Sequence, residues 1–202
     1  QLSLSNLTAE IIESPEVKGD LFIPTFVNFN SKQFKVTRIC NDAFKNTEIE
    51  SISFSYDSEV KVIDNHAFEN STIKKLFIPR SLTKLNKNWI FQTNELSEVE
   101  VDENNLYFLN ESGFLFYSKQ GIKEKEKSFE ILFAPKNFEG DFLVPEKVTC
   151  IGRSAFQQRQ GLLSLTSKSP SFEKIKSYCF YKCKNLKSIF FEGQMDLFFG
   201  GF

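Results

Sequence analysis

The six-residue pattern Ile-x-x-x-Ala-Phe comes back along this chain, and its spacing constrains the fold more tightly than any local propensity. It reads Ile39-Cys40-Asn41-Asp42-Ala43-Phe44, then Ile63-Asp64-Asn65-His66-Ala67-Phe68. Later it reads Ile151-Gly152-Arg153-Ser154-Ala155-Phe156 and Ile175-Lys176-Ser177-Tyr178-Cys179-Phe180. A stretched copy, with one extra residue, runs from Leu85 to Trp89-Ile90-Phe91. The closing Phe falls at 44, 68, 91, 156 and 180, in steps of 24, 23 and 24 with one gap of 65. A fixed period in the range of ~20–50 residues marks a stacked array whose units cannot bury their apolar faces alone.

Each closing Phe is followed by a short run with alternating apolar positions, the period-2 mark of a half-buried strand. These runs are Ile49–Phe54, Ile73–Ile78, Leu96–Val101, Leu162–Ser167 and Leu186–Phe191. Asp20-Leu21-Phe22-Ile23-Pro24 and Asp141-Phe142-Leu143-Val144-Pro145 fit the same register, and Pro ends them because it has no N–H for a ladder. Stacking these seven slots at ~4.8 Å predicts one parallel sheet about 30 Å long. The Ile and Phe of each repeat then point inward from the opposite wall, where the small Ala leaves room for ring to stack on ring.

Residues 1–36 read as an N-terminal cap that includes a hairpin pairing Phe26–Phe29 with Gln33–Val36 through Asn30-Ser31-Lys32. The gap holds a β-hairpin insertion at 105–135: Gly113–Tyr117 and Phe129–Pro135 as strands around a charged tip at 120–128. Residues 186–202 form the C-terminal end, where the apolar Leu197–Phe202 either folds over the last coil or leads into further chain. The whole reads as a single repeat domain.

Net charge is −1 with signs interspersed, which disfavours a nucleic-acid partner, because that requires a basic face. No stretch approaches the ~20 apolar residues of a spanning helix. The 24 Phe and the excess of Lys over Arg fit an A/T-rich codon bias, but composition alone cannot place five Phe at the repeat spacing.

The unit Leu/Ile-x-x-Ile-x-Ile-Pro-x-x-Val/Leu-x-x-Ile-x-x-x-Ala-Phe resembles the BspA-like class of leucine-rich repeat. Ile73–Phe91 and Phe142–Phe156 match best, and Leu21–Phe44 is a version opened by the hairpin. Tyr107–Tyr117 is similar to a hairpin that recurs in that family, and the resemblance covers about residues 17–193. It implies an α/β solenoid: a right-handed superhelix with a parallel β-sheet on its concave face and short helical turns opposite. It also implies a cell-surface or secreted protein of a parasitic or mucosa-living microbe that adheres to host or neighbouring-cell proteins. No catalytic residues come with the family.

Residues that carry chemistry are few. His66 is the only histidine and falls in the variable slot shared by Asp42, Ser154 and Tyr178, so it reads as a surface residue. A lone His also cannot make the usual zinc site. Cys40, Cys150, Cys179 and Cys183 lack Cys-x-x-Cys spacing; Cys179 takes the buried Ala slot, while Cys150 could bridge Cys179 or Cys183 on a neighbouring coil. Asn6, Asn70 and Asn110 open glycosylation motifs at a chance frequency, and Asn70 equally suits the turn after Phe68. Glu98 and Glu100 share a strand face at ~7 Å, loosely compatible with a glycosidase pair, yet no aromatic subsite pattern surrounds them. No catalytic, cofactor-binding or metal set is expected.

The open face of the strands is more informative. Its positions are Asp20 and Phe22, Ser51 and Ser53, Lys75 and Phe77, Glu98 and Glu100, Asp141 and Leu143, Ser164 and Thr166, Ser188 and Phe190. Phe22, Phe77, Leu143 and Phe190 stand out on a face otherwise made for water, and require either a partner or cover from a hairpin. The expected site is a protein-binding strip of Phe22, Lys75, Phe77, Glu98, Glu100, Leu143 and Phe190. The function read from it is a non-enzymatic module binding a host extracellular or cell-surface protein. The alternatives are a spacer with no ligand of its own and, more weakly, a carbohydrate-active enzyme using Glu98 and Glu100.

Overall fold

A computed structural model of the chain describes residues 1–125 and 128–192. The chain divides into two compact units, Gln1–Leu106 and Tyr107 onward. In the first unit the strands are β1 (Leu2–Ser3), β2 (Thr8–Ile11), β3 (Lys18–Ile23), β4 (Phe26–Phe29) and β5 (Lys32–Ile39). They continue with β6 (Glu48–Phe54), β7 (Val62–Ile63), β8 (Lys75–Ile78), β9 (Lys84–Leu85) and β10 (Glu98–Val101). The second unit holds β11 (Phe108–Glu111), β12 (Phe114–Tyr117), β13 (Phe129–Phe133) and β14 (Gly140–Leu143). It ends with β15 (Val148–Ile151), β16 (Leu162–Ser167), β17 (Lys174–Ile175) and β18 (Ser188–Phe191).

All seven expected strand slots are strands, but they form two sheets rather than one. The first unit carries the parallel order β10-β8-β6-β3, the second β14-β16-β18. Residues 102–139, which carry the insertion, separate the two runs in the chain. Alternation works as the sequence implies: Ile49, Ile52 and Phe54 of β6, Leu76 and Ile78 of β8, and Val99 of β10 are buried. Each sheet opens with the same device. Gly19 and Gly140 take φ of +69° and +99°, and pairing slips by one residue between each Gly and the Asp that follows. A left-handed Gly in a bulge re-aims the next side chain.

A second wall was not read from the sequence. The repeat's Ile residues belong to short parallel strands, with Ile39 beside Ile63 and Ile63 beside Leu85. Ile151 sits beside Ile175 in the second unit. At two residues, β7, β9 and β17 are too short to show alternation. On this wall Arg38 forks onto Asp64, Nε to Oδ2 at 2.6 Å and Nη2 to Oδ1 at 3.0 Å, and Asn86 Nδ2 donates to Asp64 Oδ1 at 2.7 Å. Burial alone would raise the Asp64 carboxyl, but these donors outweigh it and hold it below its usual range.

The third wall corrects the expected helical turns: among the described residues there is no helix. Each repeat carries left-handed residues four apart, with φ of 55° at Asp42 and 59° at Asn46, and 58° at His66 and 54° at Asn70. Asn88 with Gln92, Ser154 with Gln158, and Tyr178 with Lys182 repeat the pair. A helix needs consecutive right-handed residues, so this pattern breaks it. It also turns alternate N–H groups along the stack. Phe44 N donates to Ala67 O at 2.8 Å and Asn46 N to Glu69 O at 2.9 Å, while Lys45 N closes a local turn on Asp42 O at 3.1 Å. Asn70 accordingly serves the turn, its Nδ2 donating to Asn46 Oδ1 at 2.9 Å.

Inside the first unit Phe44 stacks on Phe68 with centroids 5.7 Å apart and planes 7° apart. The next ring is Trp89, edge-on to Phe68 at 6.5 Å, and not Phe91, which is half-buried. Phe68 N bonds Trp89 O as Phe44 N bonds Ala67 O. Trp89 therefore fills the Ala slot and Ile90 the Phe slot. This coil has no extra residue; the large and small side chains have exchanged places.

In the second unit the insertion is a three-stranded meander. β11 and β12 pair antiparallel, β12 pairs antiparallel with β13, and β13 then joins β15 in parallel. The meander supplies core. Phe114 lies 4.8 Å from Phe142 and 6.0 Å from Phe156, and Phe156 lies 5.9 Å from Phe180. Arg159, only 2% exposed, donates from Nε to Ala134 O at 2.7 Å and from Nη1 to Gln157 O at 2.8 Å. Burial pulls its guanidinium down to about 10, which still leaves it charged at neutral pH.

The N-terminal hairpin is present as β4 and β5, with the turn at Asn30 and Ser31 rather than 30–32. A further hairpin, β1 with β2, precedes it. The apolar end Leu197–Phe202 and part of the charged tip lie outside the described residues.

Two outcomes follow for stability. Phe68→Ala should cost ~3–5 kcal/mol in urea unfolding and Phe91→Ala less than ~1.5 kcal/mol; the reverse order would refute the exchanged slots. Asp64→Asn should cost about 1–2 kcal/mol at neutral pH. A carboxyl held low in the folded state stabilises fully above its unfolded value, so the gap between wild type and variant should be complete above about pH 5. It should close as pH falls below about 4.

Candidate functional site

The open face of the first unit's long-strand sheet is a grid whose rows run across strands ~4.8 Å apart. One row is Asp20, Ser51, Lys75 and Glu98, each paired in register with the next. Two residues on, Phe22 faces Ser53 and Phe77 faces Glu100; Ser53 and Phe77 are neighbours by continuation of the Ser51–Lys75 register. Five of the expected site residues, Phe22, Lys75, Phe77, Glu98 and Glu100, thus share one sheet face.

Polar groups on the face are organised among themselves. Ser51 Oγ donates to Asp20 Oδ1 at 2.5 Å, and Lys75 Nζ meets Glu98 Oε2 at 2.7 Å. The Glu98 carboxyl is held below its usual range first by its hydrogen bond with Lys75 and then by one with Glu100.

Phe22 is 59% exposed, so no hairpin covers it. Phe77 is half-buried. Past the strand ends lie two residues that the sequence reading missed. Tyr56, 76% exposed, lies under the Arg80 guanidinium, whose carbon is 4.2 Å from the ring centroid. Each follows the last inward residue of its strand, Phe54 or Ile78, by two places, one repeat apart. Their identical place in successive repeats was the available signal.

The second unit repeats this arrangement on its own sheet. Asp141, Ser164 and Ser188 form one row, and Ser164 Oγ donates to Asp141 Oδ1 at 2.6 Å. Leu143, Thr166 and Phe190 form the next, with Leu143 60% and Phe190 58% exposed.

The other candidates settle into structural roles. His66 holds a left-handed turn position and pairs through Nδ1 with Glu69 Oε2. All four cysteines are free, so the possible Cys150 bridge to Cys179 or Cys183 is not formed. Burial pushes the Cys150 thiol up to about 12 and raises Cys179 and Cys183 as well, which suppresses the reactive thiolate. Cys183 Sγ donates to Phe156 O at 2.7 Å. Among the described residues no cluster of three or more His, Cys, Asp or Glu is placed to hold a metal ion.

Coils with short parallel strands on two walls, a ring stack within and a hydrogen-bonded turn ladder on the third define a leucine-rich-repeat architecture. The chain belongs to the BspA type leucine rich repeat family, whose model matches six copies over residues 25–126 and 125–199. A leucine-rich repeat protein from Eubacterium ventriosum is similar in fold, at 18% identity and TM-score 0.53, over 87% of this chain and 54% of that one. A leucine rich cell surface protein from Faecalibacterium prausnitzii is similar at 13% identity and TM-score 0.47, over 96% of this chain and 93% of that one. The pneumococcal vaccine antigen PcpA is similar at 15% identity and TM-score 0.46, over 95% of this chain and 64% of the antigen. No curated protein matches the chain.

If the face is free of folding duty, Phe22→Ser should change unfolding free energy by no more than ~0.5 kcal/mol. A loss of several kcal/mol would show that the ring packs within the unit.

Proposed function

We propose that the chain is a non-enzymatic protein-binding repeat module, acting at a cell surface or after secretion as an adhesin or surface antigen. Its ligand is a protein of a host or neighbouring cell, held on the open face of the long-strand sheets. The observation that carries this reading is the repeated standing of a large apolar side chain on a face of serines, threonine and charged groups. Phe22, Leu143 and Phe190 each leave more than half of their surface open. Such residues gain nothing from water and become useful when a partner covers them. The family membership supports the reading.

The test is surface plasmon resonance of the purified chain against a panel of host extracellular-matrix and cell-surface proteins. A ligand of the proposed kind should bind the wild type and lose at least tenfold in affinity to the Phe22→Ser/Phe77→Ser variant, with the melting temperature unchanged. Glu98→Lys should weaken it further. If no panel protein binds in a way that depends on these side chains, the chain is a spacer and the proposal fails.

A further inference from the structure

The long-strand sheet of the first unit ends at β3, which pairs with β6 and, among the described residues, has no strand on its other side. In a parallel ladder each residue turns its N–H and C=O to one edge, and successive residues alternate. Ile23 O accepts from Ser55 N at 3.0 Å, so Ile23, and Leu21 two places before it, face β6. Asp20 and Phe22 therefore turn their N–H and C=O to the opposite edge. Among the described residues these groups have no hydrogen-bond partner. No loop covers the edge either, since Asp20 is exposed and Phe22 is 59% exposed. Natural sheets blunt such an edge, because it is a template for another strand. Here the edge strand is six residues long, with a large apolar ring beside the free groups and Pro only at its far end, at 24.

A free ladder of donors and acceptors is matched by one ligand chemistry, another extended polypeptide backbone. A second copy of this chain fits poorly in an antiparallel pair. With Asp20 opposite Asp20, like charges meet. With Asp20 opposite Phe22, a carboxylate faces a ring on both sides of the axis. With Phe22 opposite Phe22, Asp20 falls opposite Pro24, which has no N–H to give. We infer that the first unit takes an extended segment of a partner protein as an added strand along β3. The N–H and C=O of Asp20 and of Phe22 hold its main chain. On the open face, the segment's residue beside Phe22 is aromatic or aliphatic, and its residue two places away, beside Asp20, is a hydroxyl or basic one. Asp20 already receives a hydroxyl from the coil on its inner side, Ser51 Oγ to Oδ1 at 2.5 Å, and the partner supplies the matching donor from outside. This inference rests on the protein-binding reading and adds the way the ligand is held.

The probe is a phage-displayed library of random linear peptides selected on the whole chain, with clones retained only if they fail to bind Phe22→Ser/Phe77→Ser. Retained peptides should carry an apolar residue two places from a hydroxyl or basic one. A retained synthetic peptide should lose about tenfold in affinity when N-methylated at alternate positions, those whose N–H faces β3, and little at the positions between. Amide hydrogen exchange by NMR reads the other side of the same ladder. In the free chain the Asp20 and Phe22 amides should exchange fast and those of Leu21 and Ile23 slowly. Saturating peptide should slow Asp20 and Phe22 about tenfold or more. Retained peptides that show neither the alternation nor the slowing would overturn strand addition and leave protein binding on the face standing. Asp20 and Phe22 amides already slow in the free chain would overturn the open edge, and slowing that grows with chain concentration would make a second copy the occupant. Selection yielding no peptide dependent on Phe22 and Phe77 would overturn both readings.

Discussion

A single coil of this chain cannot satisfy its own backbone. Its short strands have partners only in neighbouring coils, and its third wall is not a helix that could bond internally. Left-handed residues at every fourth position send Phe44 N and Asn46 N to carbonyls one repeat on. The remaining features depend on this arrangement. The rings meet because the turn ladder sets the distance between them, and the long-strand faces are grids because each coil adds one strand to the sheet. The cost is strain at non-glycine residues with positive φ, which repeats at each coil and is offset by the inter-coil bonds it permits.

The face follows from the same constraint. Strands tied edge to edge expose alternate side chains in rows, so a residue's chemistry is always read beside its equivalent one repeat away. Asp20 with Ser51, and Asp141 with Ser164, show that each unit opens its row with the same acid–hydroxyl pair after the same left-handed glycine. Phe22 and Leu143 follow two residues later in both. Variation on such a face lies in which slots depart from Ser and Thr, as Phe22 and Leu143 do.

Much of this was legible in the sequence. Period-2 alternation found all seven long strands, and Phe44, Phe68, Phe156 and Phe180 were correctly named as inward rings in contact with the next repeat, although only Phe44 and Phe68 stack face to face and Phe156 is tilted 42° to Phe180. The third wall was misread because a short Ile-to-Phe segment has the look of a helical turn. The counter-signal was a polar residue at the left-handed place of most repeats, among them Asp42, His66 and Asn88. Register failed at Trp89 because matching by the closing Phe cannot see a large residue in a small one's slot. Tyr56 and Arg80 were missed since they lie past the strand ends, where alternation no longer says which way a side chain points.

The exchange at Trp89 has one more consequence. The chain has a single Trp, and it is 3% exposed against Phe68 inside the first unit. Its indole is thus a native optical reporter for one coil of one half of the molecule. Loosening of that half registers as a red shift in emission, while events confined to the other half leave the spectrum unchanged.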